Sequence, residues 1–244
     1  MKVEAIGIGL SRRSMFEATD LGVRMVSAHA RSVWRSYLPV HVFAVVVSAA
    51  FMEWGAGWSG LALFMLKPWL DRTLLFVLAR AAFREDTRFV DVAAAWREVW
   101  WRDLLLTFTV RRLSLWRSYV QPAQQLEGQR GPERRRRVRQ ILQNHRGAAF
   151  GMQGAFSTVE LVVTFGLFAL PAWFGAIDGQ HGWFDALFAG DASWIATLQF
   201  FCYAIAVAFV EPFFVGAGFA MYLNRRVELE AWDIEQEFRV VFAT

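Results

Sequence analysis

The sequence predicts an all-α, polytopic helical membrane protein, with about four transmembrane helices and cytoplasmic amphipathic helices attached to them. Three observations predict it. First, 56% of the 244 residues are hydrophobic and 20% are charged, whereas a soluble domain has roughly 45–50% and 25%. Second, the charges are clustered, leaving apolar runs long enough to cross a bilayer. Third, Arg and Lys collect in alternate connections, as cytoplasmic loops require.

A spanning helix needs about 20 mostly apolar residues. The first predicted span is Tyr37 to Trp54. The second is Leu61 to Phe83, interrupted by Lys67, Pro68, Asp71 and Arg72. The third is Val159 to Ile177. The fourth, Ile195 to Leu223, exceeds a straight crossing, so it must tilt or project. No secretory signal peptide is expected, because the first long apolar run begins only near Tyr37. The chain then divides into a cytoplasmic lead-in (1–36), a hairpin of two spans (37–83), a basic cytoplasmic region (84–158), a second pair of spans (159–223) and an acidic cytoplasmic tail (224–244), all in one membrane domain.

Orientation follows from the basic residues. Residues 1–36 hold six, and 84–146 hold fourteen against seven acidic residues, a net +7. The connections 53–60 and 178–193 hold no Arg or Lys. The positive-inside rule therefore predicts both termini in the cytoplasm. Trp54, Trp58, Trp183 and Trp194 then fall at the outer boundary, where indole rings favour the headgroup level.

Outside the spans, residues 14–36 read as a lead-in helix with apolar Met15, Leu21, Met25, Val26 and Val33. Phe89 to Trp100 reads as an amphipathic helix, with Phe89, Val92, Ala93, Trp96, Val99 and Trp100 on one face. That face suits either the bilayer interface or the protein's own spans. Residues 120–140 hold Pro122, Gly128, Gly131 and Pro132 and predict a flexible connector. After Leu223 the fourth span is expected to continue, with Val227, Ala231, Ile234 and Phe238 as its apolar stripe.

Intramembrane charge is costly, so such residues face protein or water and find partners. Lys67 and Asp71 share a helix face. Glu211, followed by Pro212, is the charge of the fourth span. Counting 1.5 Å per residue puts Arg72 about 17 Å and Glu211 about 24 Å from the outer ends of their spans. Glu211 is therefore expected to pair with Arg72 or Lys67. Glu160 and Glu53 are expected to be solvated at the two surfaces. Arg134, Arg135, Arg136, Arg137 and Arg139 are expected to contact anionic lipids, at about 1 kcal/mol each, rather than nucleic acid. GAGFA, Gly216 to Ala220, fits close helix packing.

No cofactor or metal is called for. Cys202 stands alone in an apolar run. His29, His41, His145 and His181 offer no i, i+3 or i+4 pair. No nucleophile-elbow motif and no phosphate-binding glycine pattern is present, and no internal repeat is evident.

Three stretches carry a resemblance: EPFFVGAGFAMYLNRRVELEAWDIEQEFR near the C-terminus, FEATDLGVRMVSAHARSVWRSYLPV near the start, and LKPWLDRTLLFVLARAAF in the second span. They resemble a family of proteobacterial integral membrane proteins. The loops 119–158 and 178–193 contribute nothing to the match. A more distant likeness is to the membrane domain attached to some glycerophosphodiester phosphodiesterases. That likeness rests on Tyr222, Asn224, Arg226, Glu230, Ala231, Asp233, Ile234 and Glu235, with Asn224 in place of an acid and Ala231 in place of a glycine. The catalytic domain of those enzymes is lacking, so their activity is not implied. The proteobacterial resemblance implies a multi-pass protein of the bacterial inner membrane. Members of that family tend to be encoded near AAA+ ATPases and other membrane proteins, which suits a non-enzymatic component of a membrane assembly. Two alternatives compete with it: translocation of a small solute or ion along Lys67, Asp71, Arg72 and Glu211, and membrane-embedded chemistry on lipids.

Overall fold

A computed structural model describes residues 13–55, 57–101, 114, 116–177 and 193–230, with side chains in the third long helix described as far as Pro171 and in the last from Trp194. All of the regular structure among the described residues is helical. In chain order the helices are α1 (Met15–Ala28), α2 (Ala30–Ala49), α3 (Trp58–Ala82), α4 (Phe89–Ala94), α5 (Arg117–Gln125), α6 (Gly131–Leu142), α7 (Arg146–Ile177) and α8 (Ser193–Glu230). A π turn, Arg97–Trp101, follows α4.

Three helices are long and apolar enough to cross a membrane: Ala30–Trp54, Arg146–Pro171 and Trp194–Glu230. α3 has the length, with 25 residues, or about 37 Å. Its four charged residues, Lys67, Asp71, Arg72 and Arg80, keep it out of a count made on apolarity. α2 and α3 pack as a hairpin, α7 packs on α8, and α8 touches nearly every other element. Leu38, Val42, Phe43 and Val46 of α2, Val162 and Phe165 of α7, and Ile205 and Phe209 of α8 face outward. Such a belt of apolar side chains suits lipid.

Several boundaries differ from the sequence expectation. The lead-in helix breaks at His29, whose φ of −107° leaves the helical region. Its first half, α1, starts at a reciprocal cap: Glu17 N–H donates to Ser14 Oγ at 3.2 Å and Ser14 N–H to the Glu17 carboxylate at 2.8 Å. The backbone bond to Glu17 holds its carboxyl below the usual range. The second half is already α2, so the first span begins at Ala30. α3 runs unbroken through Pro68, and α8 through Pro212. The third span begins earlier than expected, at Arg146. Residues 120–140 are not a flexible connector: they form the end of α5, a turn and most of α6, with left-handed backbone at Gly128 in the turn (φ +67°) and at Gly131, the first residue of α6 (φ +54°). The stretch 89–100 is a short helix followed by the π turn rather than one continuous helix. α8 has 38 residues, or about 57 Å, as the expected projection requires. Ala231, Asp233, Ile234, Glu235 and Phe238 lie outside the described residues, as does Trp183.

α1 docks on the inner half of α8 through a backbone-to-backbone approach. A Cβ on Gly22 would meet the Gly216 carbonyl oxygen at 2.3 Å, and one on Gly216 would meet Val26 at 2.5 Å. Asn224 then fixes the register. Its Oδ1 accepts from Arg13 N–H at 3.0 Å and its Nδ2 donates to Arg13 C=O at 2.8 Å. An acid at position 224 could accept but could not donate.

Candidate functional site: a buried charge network

The centre of the bundle is built from residues that a membrane interior disfavours. Lys67 lies midway along α3. Its Nζ reaches the Glu160 carboxylate of α7 at 2.5 Å and the Glu211 carboxylate of α8 at 2.7 Å. The carboxylate of Asp71, one turn further along α3, forms an ion pair with Arg117, Oδ2 to Nε at 2.6 Å, and Arg117 Nη2 donates to Glu211 Oε1 at 2.7 Å. Arg117 is the first residue of α5, and its guanidinium also sits 5.3 Å from the centre of the Phe214 ring. Four helices thus meet at five ionic side chains. Asp71 and Glu211 are 0% and 1% exposed, so none of their charge is offset by solvent.

A polar layer from α2 lies on the outer side of this network. His41 Nε2 lies 3.0 Å from the Ala204 carbonyl, and Tyr37 Oη lies 3.2 Å from His41 Nδ1. Both rings are buried against α8.

Arg72 is part of a different arrangement from the expected one. It does not pair with Glu211. It turns away and donates to the carbonyl oxygens of Val99 and Glu98 in the π turn, at 2.5 and 3.0 Å. A π turn leaves carbonyls without their usual helical partners, and a guanidinium supplies donors in a fork. Trp100 Nε1 donates to Thr73 Oγ1 at 2.9 Å and stacks near Trp69, ring centres 5.4 Å apart. The Trp-bearing segment is therefore pinned to α3. Val92 and Val99 are buried, while Val90, Trp96 and Trp101 remain exposed at 72%, 43% and 69%.

A second, more exposed network joins the turn after α5 to α6 and α8. Arg137 Nη2 lies 2.8 Å from Glu127 and 2.5 Å from Glu230. Arg226 pairs with Glu230 at 2.5 Å, and Tyr222 Oη donates to Glu127 at 2.5 Å. The hydrogen bonds that Arg137 donates to Glu127 raise the pKa of its guanidinium further. Glu228 pairs with Arg225 at 2.7 Å and lies 3.3 Å from His145 Nε2. Arg135, Arg136 and Arg139 point outward, whereas Arg134 is partly covered. An open cleft between Glu127, Glu133, Arg136, Arg137 and Arg226 has mixed charge.

The structure brings together Lys67, Asp71 and Glu211 as their spacing implied. It also corrects the account of Glu160, which is not a solvated interfacial acid: its side chain is 17% exposed and salt-bridged to Lys67. Because α7 starts at Arg146, Glu160 lies near its middle. The uncharged run 147–159 is the signal that could have shown this. Arg117 was missed altogether. A short repeat points to it: Trp34-Arg35-Ser36-Tyr37 and Trp116-Arg117-Ser118-Tyr119 share four residues. Both copies bury their Ser and Tyr, but only the second buries its Arg. Glu53 is exposed, as expected.

A small cavity of about 40 Å³ adjoins the network, lined by Pro68, Arg72, Arg117, Gln121, Gln124 and Gln125 among others. That volume takes one water molecule or a few, at about 10–15 Å³ each. Searches against protein-family models, curated proteins and solved structures find no match for this chain.

Proposed function

We propose that this chain is a non-enzymatic integral component of a bacterial inner-membrane assembly, with both termini in the cytoplasm, docking its partners through its cytoplasmic helices. The observation that carries the reading is the aromatic face around α4 and the π turn. Trp96 and Trp101 stand 6.1 Å apart, ring centre to ring centre, and Arg97 lies 5.3 Å over Trp96. Exposed Trp and Arg on a backbone held by Arg72 and Trp100 is the composition of an interaction hot spot. Partners of the AAA+ ATPase kind, or other membrane proteins, fit this reading. Arg135, Arg136 and Arg139 fit contact with anionic lipid headgroups on the same side. The charge network supports the reading from the other direction. Its ions are spent on one another, and the adjoining cavity of about 40 Å³ has room for water but not for an organic solute.

The test is extraction of the full chain at native level in mild detergent, followed by intact-complex mass determination. A stoichiometric partner is expected, and Trp96→Glu with Trp101→Glu should release it while leaving the melting temperature of the chain within about 2 °C. A chain that runs alone in the wild type overturns the proposal, as does a complex that survives the double substitution.

A further inference from the structure

The two carboxyl groups on Arg117 have an arrangement that ionic pairing alone does not explain. The Nε–H and Nη2–H bonds of a guanidinium leave one edge side by side, which is why a single carboxylate so often takes both. Here the guanidinium is shared between two acids. Glu211 Oε1 accepts from Nη2 at 2.7 Å, while Asp71 Oδ2 lies 2.6 Å from Nε but off the line of its N–H. The two carboxyl groups are buried and lie within hydrogen-bond reach of each other. Like-charged carboxylates at such separations do not both stay ionised.

Two further observations agree. Both Asp71 oxygens are buried and have no hydrogen-bond donor, a costly state for an ionised carboxylate. The charge count of the cluster is also uneven. Asp71, Glu160 and Glu211 carry three negative charges when ionised, against two positive charges on Lys67 and Arg117, which leaves −1. The other titratable or charged groups facing the cluster are Tyr37 and His41 of α2, Arg72 of α3 and Tyr203 of α8. Arg72 is engaged by the carbonyls of Glu98 and Val99. One added proton both neutralises the cluster and gives an orphan oxygen a bond to make.

We infer that Asp71 and Glu211 form a carboxyl pair that binds one proton between them, carried on Asp71 and hydrogen-bonded toward Glu211, with Arg117 as the common counter-ion. The ligand of this site is a proton rather than a metal ion, since Lys67 and Arg117 already occupy its cationic positions. The small cavity beside Arg117 supplies the water through which the proton exchanges. The site stands independently of any docking partner, because every group in it belongs to this chain.

Infrared spectroscopy of the full chain in lipid nanodiscs tests it. At pH 7 the wild type should show one protonated-carboxyl C=O band that shifts in D2O. Carbon-13 labelling of the aspartate side-chain carboxyl should move that band, and glutamate labelling should not. Asp71→Asn, which keeps the shape and the donor, should remove the band. Absence of the band in the wild type overturns the inference, and so does a band that moves only with labelled glutamate. The labelling needs no variant, so a poorly folding Asp71→Asn protein leaves the test intact.

Discussion

The molecule holds two ionic networks of similar chemistry in opposite settings. Lys67, Asp71, Arg117, Glu160 and Glu211 sit inside the bundle, with side chains 0–17% exposed. Glu127, Arg137, Arg226 and Glu230 sit at the C-terminal end of α8, 11–25% exposed. In both, one carboxylate bridges two cations and an aromatic ring borders a guanidinium. The difference lies in the alternative open to each ion. A partly exposed ion that loses its partner turns to water, while an interior ion has none to turn to. The inner network therefore specifies which helices meet, and the outer one adjusts how firmly their ends are held.

The comparison breaks most sharply at Lys67, the cation common to Glu160 and Glu211. Lys67→Met should strand Glu160 and leave Glu211 with Arg117 alone. Removing one partner of a buried pair costs about 3–5 kcal/mol, and a comparable loss is expected in chemical denaturation of the detergent-solubilised chain. Adding Glu160→Gln to Lys67→Met should recover part of it, because the stranded charge is gone. If the double variant is less stable than Lys67→Met by the full cost of a second defect, the two residues act separately and the network is not one unit.

Arg72 lies between the two settings: its guanidinium is inside, and its acceptors belong to the partly exposed π turn. Arg72→Met should leave the carbonyls of Glu98 and Val99 without that donor, at about 1–3 kcal/mol. The loss should be local. Tryptophan fluorescence from the Trp69–Trp100 contact should shift, while the hairpin of α2 and α3 persists. A change spread evenly over the whole unfolding transition would show that the π turn is integral to the bundle core.

How far these networks were legible in the sequence follows from where each charge sits relative to apolar residues. Lys67, Asp71 and Glu211 interrupt long apolar runs, so burial and pairing follow from the cost of an unpaired charge in a membrane. Glu160 stands at the edge of its run, where hydropathy alone cannot separate an interfacial acid from an interior one. Its position became clear only once α7 was seen to start among small residues at Arg146. Arg117 was hidden because it lies in a basic stretch that also serves as a topology signal. A charge count weighs Arg117 and Arg136 equally, although one is buried and the other exposed. The all-α class and the apolar spans were legible because periodicity and run length are local properties. The docking of α1 on α8 was not, since it depends on Gly22 meeting Gly216 across most of the chain.

The smallest expected effect is at the partly exposed network, and salt is what exposes its nature. Arg137→Met removes the contacts to Glu127 and Glu230, yet both acids keep Arg226 within reach, at 3.7 and 2.5 Å. Partly exposed pairs contribute about 0–1 kcal/mol, so the melting temperature should fall by only a few degrees at low ionic strength. Raising salt to about 1 M shortens the screening length to about 3 Å, which should erase most of the difference between Arg137→Met and the wild type. The Lys67→Met difference should not respond, because ions do not enter the bundle interior. A salt-insensitive Arg137→Met defect would mean that the partly exposed network is as dry as the inner one. The contrast between the two settings would then lie in geometry rather than in solvent.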